Sequence, residues 1–340
     1  MNDQTAIKLT AKDFATDQEV RWCPGCGDYA ILKGVQKALA DIGTAPENVV
    51  FVSGIGCAAR FPYYVDTYGF HTIHGRAPAF ATGIKLAKPE LDVWLVSGDG
   101  DGLSIGGNHL MHVLRRNVDV NYLLFNNEIY GLTKGQASPT SRKGTRSPST
   151  PAGSVDSPLS ACVTALGVGA RFVARGIDRG QKELPGMLQR AHAHKGASFV
   201  EILQNCIVYN DGIFDNVVDK SIAVDAQIHV KHGEPLTFGP DDSTGLRLDP
   251  KTLRLSVVEI GVDGVTLDDI IVHDETNLML AQMLAAMDRP DFPVAIGVLY
   301  NNPAETTYEA AVTQQNEVAR SSAKINSIEE LLHSGTTWTV

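Results

Sequence analysis

The chain has 340 residues and a formal net charge of −10, and 43% of its residues are hydrophobic. This length suits one large α/β domain with an additional segment, and the acidic balance argues against general nucleic-acid binding. No apolar run approaches the ~18 residues of a membrane-spanning helix. Residues 1–14 are polar with mixed charge, unlike a signal peptide, so we expect a cytoplasmic protein without membrane contact.

The first informative stretch, residues 21–28, contains Cys23 and Cys26 in a Cys-x-x-Cys spacing. Apolar residues then recur on one face, which predicts a helix that runs to Ile42 and ends at Gly43. Cys26 lies just before this helix, where backbone N–H groups favour a thiolate. The spacing alone leaves zinc, iron–sulfur and dithiol redox chemistry open.

The remaining cysteines are Cys57, Cys162 and Cys206. Cys57 ends a glycine turn after a predicted strand at 49–52, and Cys206 follows a predicted strand at 198–203. Both positions are strand ends, so we expect them at one edge of the sheet. Cys162 lies in an Ala- and Val-rich helical pattern and is interpreted as a small core residue. The alternative is that Cys57 and Cys206 are also buried and inert.

Two predicted strands are each followed by oxygen-rich turns. Apolar runs at 93–96 and 120–125 predict buried parallel strands, joined by a helix at 109–116. A Gly-Asp-Gly-Asp turn at 98–101 follows the first strand, and an Asn-rich segment at 126–133 follows the second. Open α/β sheets bind ligands at this end of their strands. An ordinary glycine-turned sheet without a ligand is the alternative.

The later part of the chain changes in character. The loop at 134–158 is rich in Ser, Thr, Pro and Gly, a composition typical of disorder, yet its position after a ligand-binding strand predicts an ordered lid. Patterns beyond residue 210 predict two strands and a helix, at 253–262, 294–299 and 275–287. We therefore divide the chain into a domain at 1–210 and a C-terminal extension at 211–340 that packs on the sheet or on a partner subunit.

Five short segments follow one another along the chain: Cys-Pro-Gly-Cys-Gly at 23–27, Ser-Gly-Ile-Gly-Cys at 53–57, His-Gly-Arg-Ala at 74–77, Gly-Asp-Gly-Asp at 98–101, and Asn-Asn-Glu-Ile-Tyr-Gly-Leu-Thr-Lys-Gly-Gln at 126–136. Together they resemble the β subunit of 2-oxoacid:ferredoxin oxidoreductases. The resemblance implies an α/β fold of the thiamine diphosphate-binding type, in which a mostly parallel sheet is flanked by helices. It covers residues 20–209, with a weaker similarity at 292–308.

This resemblance implies thiamine diphosphate, Mg²⁺ and one [4Fe–4S] cluster as cofactors. Mg²⁺ prefers about six oxygen ligands, and the implied ones are Asp99, Asn127 and the Ile129 carbonyl. The implied cluster ligands are Cys23, Cys26, Cys57 and Cys206. The implied neighbours of thiamine diphosphate are Ile55, Gly56, Cys57, His74, Gly98, Asp99, Gly100, Asp101, Asn127, Gly131, Leu132 and Thr133. For His74, a surface-turn histidine is the alternative to a phosphate donor.

The implied reaction interconverts a 2-oxoacid plus coenzyme A with an acyl-CoA plus CO₂, and two electrons pass to ferredoxin. Thiamine catalysis also needs a carboxylate beside the aminopyrimidine ring. The family supplies it from an α subunit that carries the pyrimidine-binding domain, so we expect a dimer of αβ pairs.

Two cations resemble positions that line the family's substrate pocket, Arg60 and Lys134. A pair of cations suits the two carboxylates of 2-oxoglutarate, which would give succinyl-CoA. A pyruvate-sized or broad pocket is the alternative. Two further hypotheses come from other classes, namely a non-redox thiamine enzyme and a zinc-stabilised scaffold subunit.

Overall fold

The protein is described by a computed structural model that covers residues 9–325 and 327–338. Its strands are β1 (Val49–Ser53), β2 (Tyr68–His71), β3 (Asp92–Gly98), β4 (Asn121–Asn126), β5 (Ile129–Tyr130), β6 (Gln136–Ala137), β7 (Phe172–Ile177), β8 (Ser198–Leu203), β9 (Gln227–Val230), β10 (Thr237–Phe238), β11 (Thr244–Leu248), β12 (Leu255–Glu259) and β13 (Val294–Asn301). Its helices are α1 (Asp28–Ile42), α2 (Ala77–Ala87), α3 (Gly107–Arg116), α4 (Ala161–Gly167), α5 (Leu184–Ala193), α6 (Asp215–Val218), α7 (Ala223–Ala226), α8 (Leu278–Ala286), α9 (Tyr308–Ser322) and α10 (Ile328–Leu332).

The main sheet has eight strands in the order β2-β1-β3-β4-β8-β7-β13-β9. The first six run parallel to one another. β13 pairs antiparallel with β7, and β9 pairs parallel with β13. The prediction of a mostly parallel sheet flanked by helices is confirmed. Because β3 and β4 are neighbours, the two oxygen-rich turns that follow them meet at one edge.

Apolar side chains cover both faces of this sheet. Successive residues of a strand point to opposite faces, so Val50 and Leu95 join one core cluster while Phe51 and Trp94 join the other. Helices cover each face, and strands buried on both sides read as continuous apolar runs. This explains why the central strands could be predicted without any alternation of polar and apolar residues.

The helix after the first cysteine pair has the predicted bounds, and it ends at Gly43, whose φ of 79° is left-handed. Glycine adopts this conformation without a steric penalty, which makes it the usual residue at a helix C-terminus. None of the described helices is both long and apolar enough to cross a bilayer.

The C-terminal part of the chain does more than pack on the sheet. β9 and β13 are strands of the main sheet, whereas β10, β11 and β12 form a separate antiparallel sheet. Leu280 of α8 and Leu299 of β13 share one core cluster with Val52 of β1. Residues on both sides of position 210 therefore contribute to the same core.

Candidate functional site

A cavity of about 220 Å³ lies at the carboxyl edge of β1, β3 and β4. It is lined by every residue that the resemblance implies for thiamine diphosphate, namely Ile55, Gly56, Cys57, His74, Gly98, Asp99, Gly100, Asp101, Asn127, Gly131, Leu132 and Thr133, and also by Ile129. The further lining residues, which were not predicted from the sequence, are Asp28, Ala58, Phe125, Tyr130 and Gln204. The sequence feature that could have indicated them is their position, since most of them are next to a predicted site residue or to the end of a predicted strand.

The turn after β3 is held tightly against the segment after β4. A Cβ on Gly100 would lie 2.2 Å from Cε1 of Tyr130, so a larger residue at this position would displace the ring. The Tyr130 hydroxyl donates to the Gly100 carbonyl at 2.9 Å. Glycine is therefore required for the close approach of these two segments, which together form the floor of the cavity.

The Asp101 carboxylate holds three loops of the cavity together. Its Oδ1 accepts hydrogen bonds from the backbone N–H groups of Ile55 at 3.1 Å and Gly75 at 2.7 Å, and lies 2.7 Å from Nδ1 of His74. Its Oδ2 accepts from the Ser97 hydroxyl at 2.6 Å. Asp101 was expected to contact the cofactor, but its oxygens are engaged within the protein. The His74 bond leaves Nε2 of the ring for a ligand.

Asp99 and Asn127 line the cavity with oxygen-bearing side chains, and the Asn127 Oδ1 also accepts the backbone N–H of Ile129 at 3.2 Å. Asp99 is only 2% exposed, and burial raises the pKa of its carboxyl, although hydrogen bonds from Ser138 and Thr140 oppose the rise. The Asn127 amide nitrogen donates to Oε1 of Gln204 at 2.7 Å, which fixes the direction of its Oδ1. A bound cation would favour the charged form of Asp99.

Oxygen atoms of this kind fit a hard cation that is shared with a diphosphate. Within residues 9–325 and 327–338, no three side chains of His, Cys, Asp or Glu lie close enough to hold a metal ion by themselves. A magnesium ion here would therefore depend on the Asn127 amide, the Ile129 carbonyl and oxygens of the ligand, which is how proteins usually hold Mg²⁺ on phosphates.

Four of the cysteines approach one another beside this cavity. The thiols of Cys57 and Cys206 each lie 3.6 Å from the position that a Cβ would take on Gly131, so the two sulfurs face one space. The loop that carries Cys23 and Cys26 is tied to the end of β8, because the Gly27 N–H donates to the Asn205 carbonyl at 3.2 Å. The side-chain nitrogen of Gln204 also lies 3.3 Å from Sγ of Cys26.

These thiols influence one another's pKa values. Burial raises the pKa of the Cys57 thiol to about 12, and the nearby Asp28, Cys206 and Cys23 add to the rise. Burial, followed by Asp28, Cys57 and Cys206, also raises the pKa of Cys26. Burial thus opposes the thiolate that was expected at Cys26, whereas a hydrogen bond from the backbone of Asp28 favours it. Metal binding here must displace protons.

Cys162 lies apart from the other cysteines. It is fully buried in α4, and its thiol donates to Oε2 of Glu201 at 3.1 Å. Glu201 in turn forms a buried ion pair with Arg175 of β7 at 2.7 Å. The structure thus places Cys162 in the core, as the sequence analysis interpreted it.

The two expected substrate cations are not brought together. Arg60 lies outside the cavity, where its Nε donates to the Tyr64 hydroxyl at 2.9 Å and its guanidinium lies 5.7 Å from the centre of the Tyr63 ring. It lines a different surface groove beside Glu19. The structure therefore places Arg60 apart from the residues implied for thiamine diphosphate, because the two tyrosines hold its side chain there. Lys134 is exposed and directly follows Thr133 at the cavity.

Comparisons with known proteins agree with this arrangement. Residues 54–202 match the family described as "Thiamine pyrophosphate enzyme, C-terminal TPP binding domain", which confirms the predicted fold class. A "2-oxoglutarate oxidoreductase subunit KorB" of Mycobacterium tuberculosis is 47% identical over 333 residues, covering 97% of this chain and 88% of the relative. A "2-oxoacid:ferredoxin oxidoreductase 1, subunit beta" of Aeropyrum pernix is 38% identical over 305 residues, covering 89% and 84%.

A solved structure is similar along nearly the whole chain. It is a 2-oxoglutarate:ferredoxin oxidoreductase from Magnetococcus marinus with 2-oxoglutarate, coenzyme A and succinyl-CoA bound, and it matches with a TM-score of 0.76 and 32% identity, covering 97% of each chain. The five motifs, the shared cavity and these similarities lead to one assignment. The chain belongs to the β subunits of the 2-oxoacid:ferredoxin oxidoreductase family.

Proposed function

We propose that this chain is the β subunit of a 2-oxoglutarate:ferredoxin oxidoreductase that binds Mg²⁺ and thiamine diphosphate. The enzyme interconverts 2-oxoglutarate, coenzyme A and two oxidised ferredoxins with succinyl-CoA, CO₂, two reduced ferredoxins and a proton. The observation that carries the proposal is the single cavity in which the Gly-Asp-Gly turn, the Asn127 segment and Cys57 meet. The substrate is chosen on the names of the relative from M. tuberculosis and of the similar solved structure.

The residues of the cavity have distinct roles in this proposal. Asp99, Asn127 and the Ile129 carbonyl hold Mg²⁺, while His74 and Thr133 contact the diphosphate. Thiamine diphosphate, when bound, supplies the carbon nucleophile and electron sink that decarboxylation of a 2-oxoacid requires. The protein positions these groups and excludes water from around them.

The four cysteines beside the cavity are proposed to hold a [4Fe–4S] cluster, with Cys23, Cys26, Cys57 and Cys206 as ligands. A cluster binds each thiolate to a separate iron atom, whereas a tetrahedral zinc ion needs thiolates about 3.8 Å apart, since each Zn–S bond is about 2.3 Å. Four thiolates suit either metal, and the choice of a cluster rests on the five motifs that resemble the family. Its place beside Gly131, between Cys57 and Cys206, would let electrons leave the cofactor directly.

An α subunit with the pyrimidine-binding domain is proposed to complete the site, in a dimer of αβ pairs. Among the described residues that line the cavity, the acids are Asp28, Asp99 and Asp101. Asp99 is a ligand in the proposed metal site, and the Asp101 carboxylate accepts the hydrogen bonds from the loops described above. In the family that the motifs resemble, the carboxylate that activates the aminopyrimidine comes from the α subunit, and we expect the same here.

The test compares the chain alone with the chain co-expressed with its α partner under anaerobic conditions. The complex is expected to reduce a dye with 2-oxoglutarate and coenzyme A, faster than with pyruvate, and the chain alone is expected not to turn over. A brown complex with visible absorbance separates the cluster from zinc. A colourless complex would favour the scaffold hypothesis, and a better rate with pyruvate would change the substrate but leave the family unchanged.

Lys134 remains the candidate cation for a substrate carboxylate. Its exposed side chain follows Thr133, and its φ of 75° is left-handed. Such a backbone is unusual outside glycine and is typical of turns at functional sites. In the complex we expect Lys134 to face the cavity mouth, so Lys134→Met should raise the KM for 2-oxoglutarate more than that for pyruvate.

A further inference from the structure

A threonine of the lid loop reaches the proposed metal ligand. Thr140 lies outside all five motifs and is 4% exposed. Its hydroxyl lies 2.7 Å from Oδ2 of Asp99 and 3.0 Å from Oδ1 of Asn126. We propose that Thr140 is a positioning residue that fixes the Asp99 carboxylate so that its other oxygen, Oδ1, binds the magnesium ion. This inference rests on the proposed function.

The geometry decides which way the threonine hydrogen points. The Asn126 amide nitrogen donates to Oε1 of Glu201 at 2.8 Å, and its Oδ1 accepts the backbone N–H of Glu128 at 3.2 Å. Because Glu201 can only accept when it is charged, the orientation of the Asn126 amide is unambiguous. The Thr140 hydroxyl therefore faces two acceptors, Asp99 Oδ2 and Asn126 Oδ1, and it also lies 3.2 Å from the Ser138 hydroxyl, where either oxygen can donate.

A hydroxyl has one hydrogen to donate, so the two acceptors compete for it. The Asp99 carboxylate is the closer one, and a hydrogen bond to a charged acceptor is roughly twice as strong as a neutral one. When Asp99 is ionised, as a magnesium ligand must be, the hydrogen goes to Oδ2. That hydrogen bond orients the carboxylate, and we expect Oδ1 to bind the metal.

The orientation is supported by a buried chain of polar groups across neighbouring strands. Asp99 follows β3, Asn126 ends β4, and Glu201 of β8 is held by Arg175 of β7 at 2.7 Å. Burial opposes the ionisation of Glu201, but the Arg175 guanidinium holds its pKa below the usual value. The chain thus begins at a fixed ion pair and ends at the Asp99 carboxylate.

Further hydrogen bonds of this loop explain how it becomes ordered although its composition is typical of disorder. The Ser141 hydroxyl donates to the Glu128 carbonyl at 2.5 Å, and the Ser138 N–H donates to the Ser141 hydroxyl at 2.8 Å. These bonds attach the loop to the segment that carries Asn127. Thr140 is thereby held in place independently of the metal, so the Asp99 carboxylate is oriented before the cation arrives.

The experiment titrates Mg²⁺ into the metal-depleted complex with the α partner at saturating thiamine diphosphate, and follows cofactor binding by quenching of tryptophan fluorescence. Thr140→Val keeps the shape and removes the hydroxyl. Groups that orient metal ligands typically change metal affinity by about 10–100-fold, so the Mg²⁺ dissociation constant should rise by about that factor. Thr140→Ser should restore it. Visible absorbance of the complex should stay unchanged.

A comparison of Mg²⁺ with Ca²⁺ tests whether the change in affinity comes from the orientation of the Asp99 carboxylate. Ca²⁺ accepts flexible coordination, whereas Mg²⁺ demands near-octahedral geometry. Loss of the orienting hydrogen bond should therefore weaken Mg²⁺ more than Ca²⁺, which mere loosening of the fold would not do. Thr145→Val is the matched control, since this hydroxyl of the same loop donates to the Arg142 carbonyl at 2.7 Å, away from Asp99.

Each outcome decides the matter. An unchanged Mg²⁺ affinity in Thr140→Val overturns the proposal, and so does a loss that Thr140→Ser does not restore or that affects both cations equally. If Thr140→Val yields no folded complex, Thr140→Ala provides the same comparison without the added methyl group. Failure of the wild-type complex to bind thiamine diphosphate in a Mg²⁺-dependent way would instead refute the proposed function.

Discussion

The buried ion pair between Arg175 and Glu201 offers a strong test of how the sheet supports the site. The two side chains are 7% and 4% exposed and lie 2.7 Å apart. Arg175→Met would keep the side-chain volume and leave the Glu201 charge without its counter-ion. Breaking a buried pair from one side typically costs about 3–5 kcal/mol. With an unfolding entropy of about 2.1 cal/mol/K per residue, this lowers Tm by about 4–7 °C for a chain of this size.

The pH dependence of the protein's stability follows from the same ion pair. Burial is the largest influence on the pKa of Glu201 and raises it, but the charge and hydrogen bond of Arg175, together with hydrogen bonds from Asn126 and Cys162, bring the pKa below its usual value in the folded protein. The pair therefore stabilises the wild type above the unfolded pKa of a glutamate, and this stabilisation is lost as pH falls through the lower, folded pKa. In Arg175→Met, burial without a counter-charge raises the folded pKa. The destabilisation should be largest at neutral pH and should shrink toward acid pH.

Thermal unfolding of the purified complex, followed by circular dichroism at neutral and acid pH, measures these changes. Arg175→Met combined with Glu201→Gln removes the stranded charge and should recover roughly half of the lost stability. Arg179→Met is the surface control, because its guanidinium lies 3.9 Å from Asp215 and is 54% exposed. An Arg175→Met protein no less stable than this control, or no benefit from Glu201→Gln, would refute the reasoning.

Three further predictions concern the site. Cys206→Ala should lose iron and visible absorbance while Cys162→Ala keeps both, since only Cys206 shares the space beside Gly131; a colourless Cys162 variant would contradict this. Asp99→Ala should abolish Mg²⁺-dependent retention of thiamine diphosphate and keep the visible absorbance, whereas loss of both would indicate unfolding. Arg60→Ala should change kcat/KM for 2-oxoglutarate and pyruvate by the same factor, because its side chain lies against Tyr64 outside the cavity; a selective loss for 2-oxoglutarate would restore it to the substrate pocket.

The local sequence was informative where the residues that line the cavity directly follow a predicted strand. The apolar run at 93–96 and the turn at 98–101 predicted a buried strand ending in a ligand site, and β3 ends at Gly98 with Asp99 on the cavity. The same holds for β4 and Asn127. In both places the residues that form the strand and those that line the site are adjacent, so their pattern carries both kinds of information.

Contacts between distant segments could not be predicted in this way. Arg60 follows Cys57 by three positions, which suggested a place at the cofactor, but a short 3-10 helix and the Tyr64 hydroxyl direct its side chain elsewhere. Asp101 has the composition of a ligand, yet the backbone N–H groups of two other loops occupy its carboxylate. Side-chain direction depends on these partners, which sequence spacing does not specify.

The sequence by itself determined the fold class and the order of the motifs, because apolar runs and turn residues are read locally. The resemblance carried by those motifs also named most of the residues that line the cavity. The tertiary structure decided which strands became neighbours, so that Asn126 of β4 meets Glu201 of β8. It also placed Thr140 of a Ser- and Pro-rich loop on Asp99. Such pairings join residues far apart in the chain, and only the packing of the complete sheet brings them within hydrogen-bonding distance.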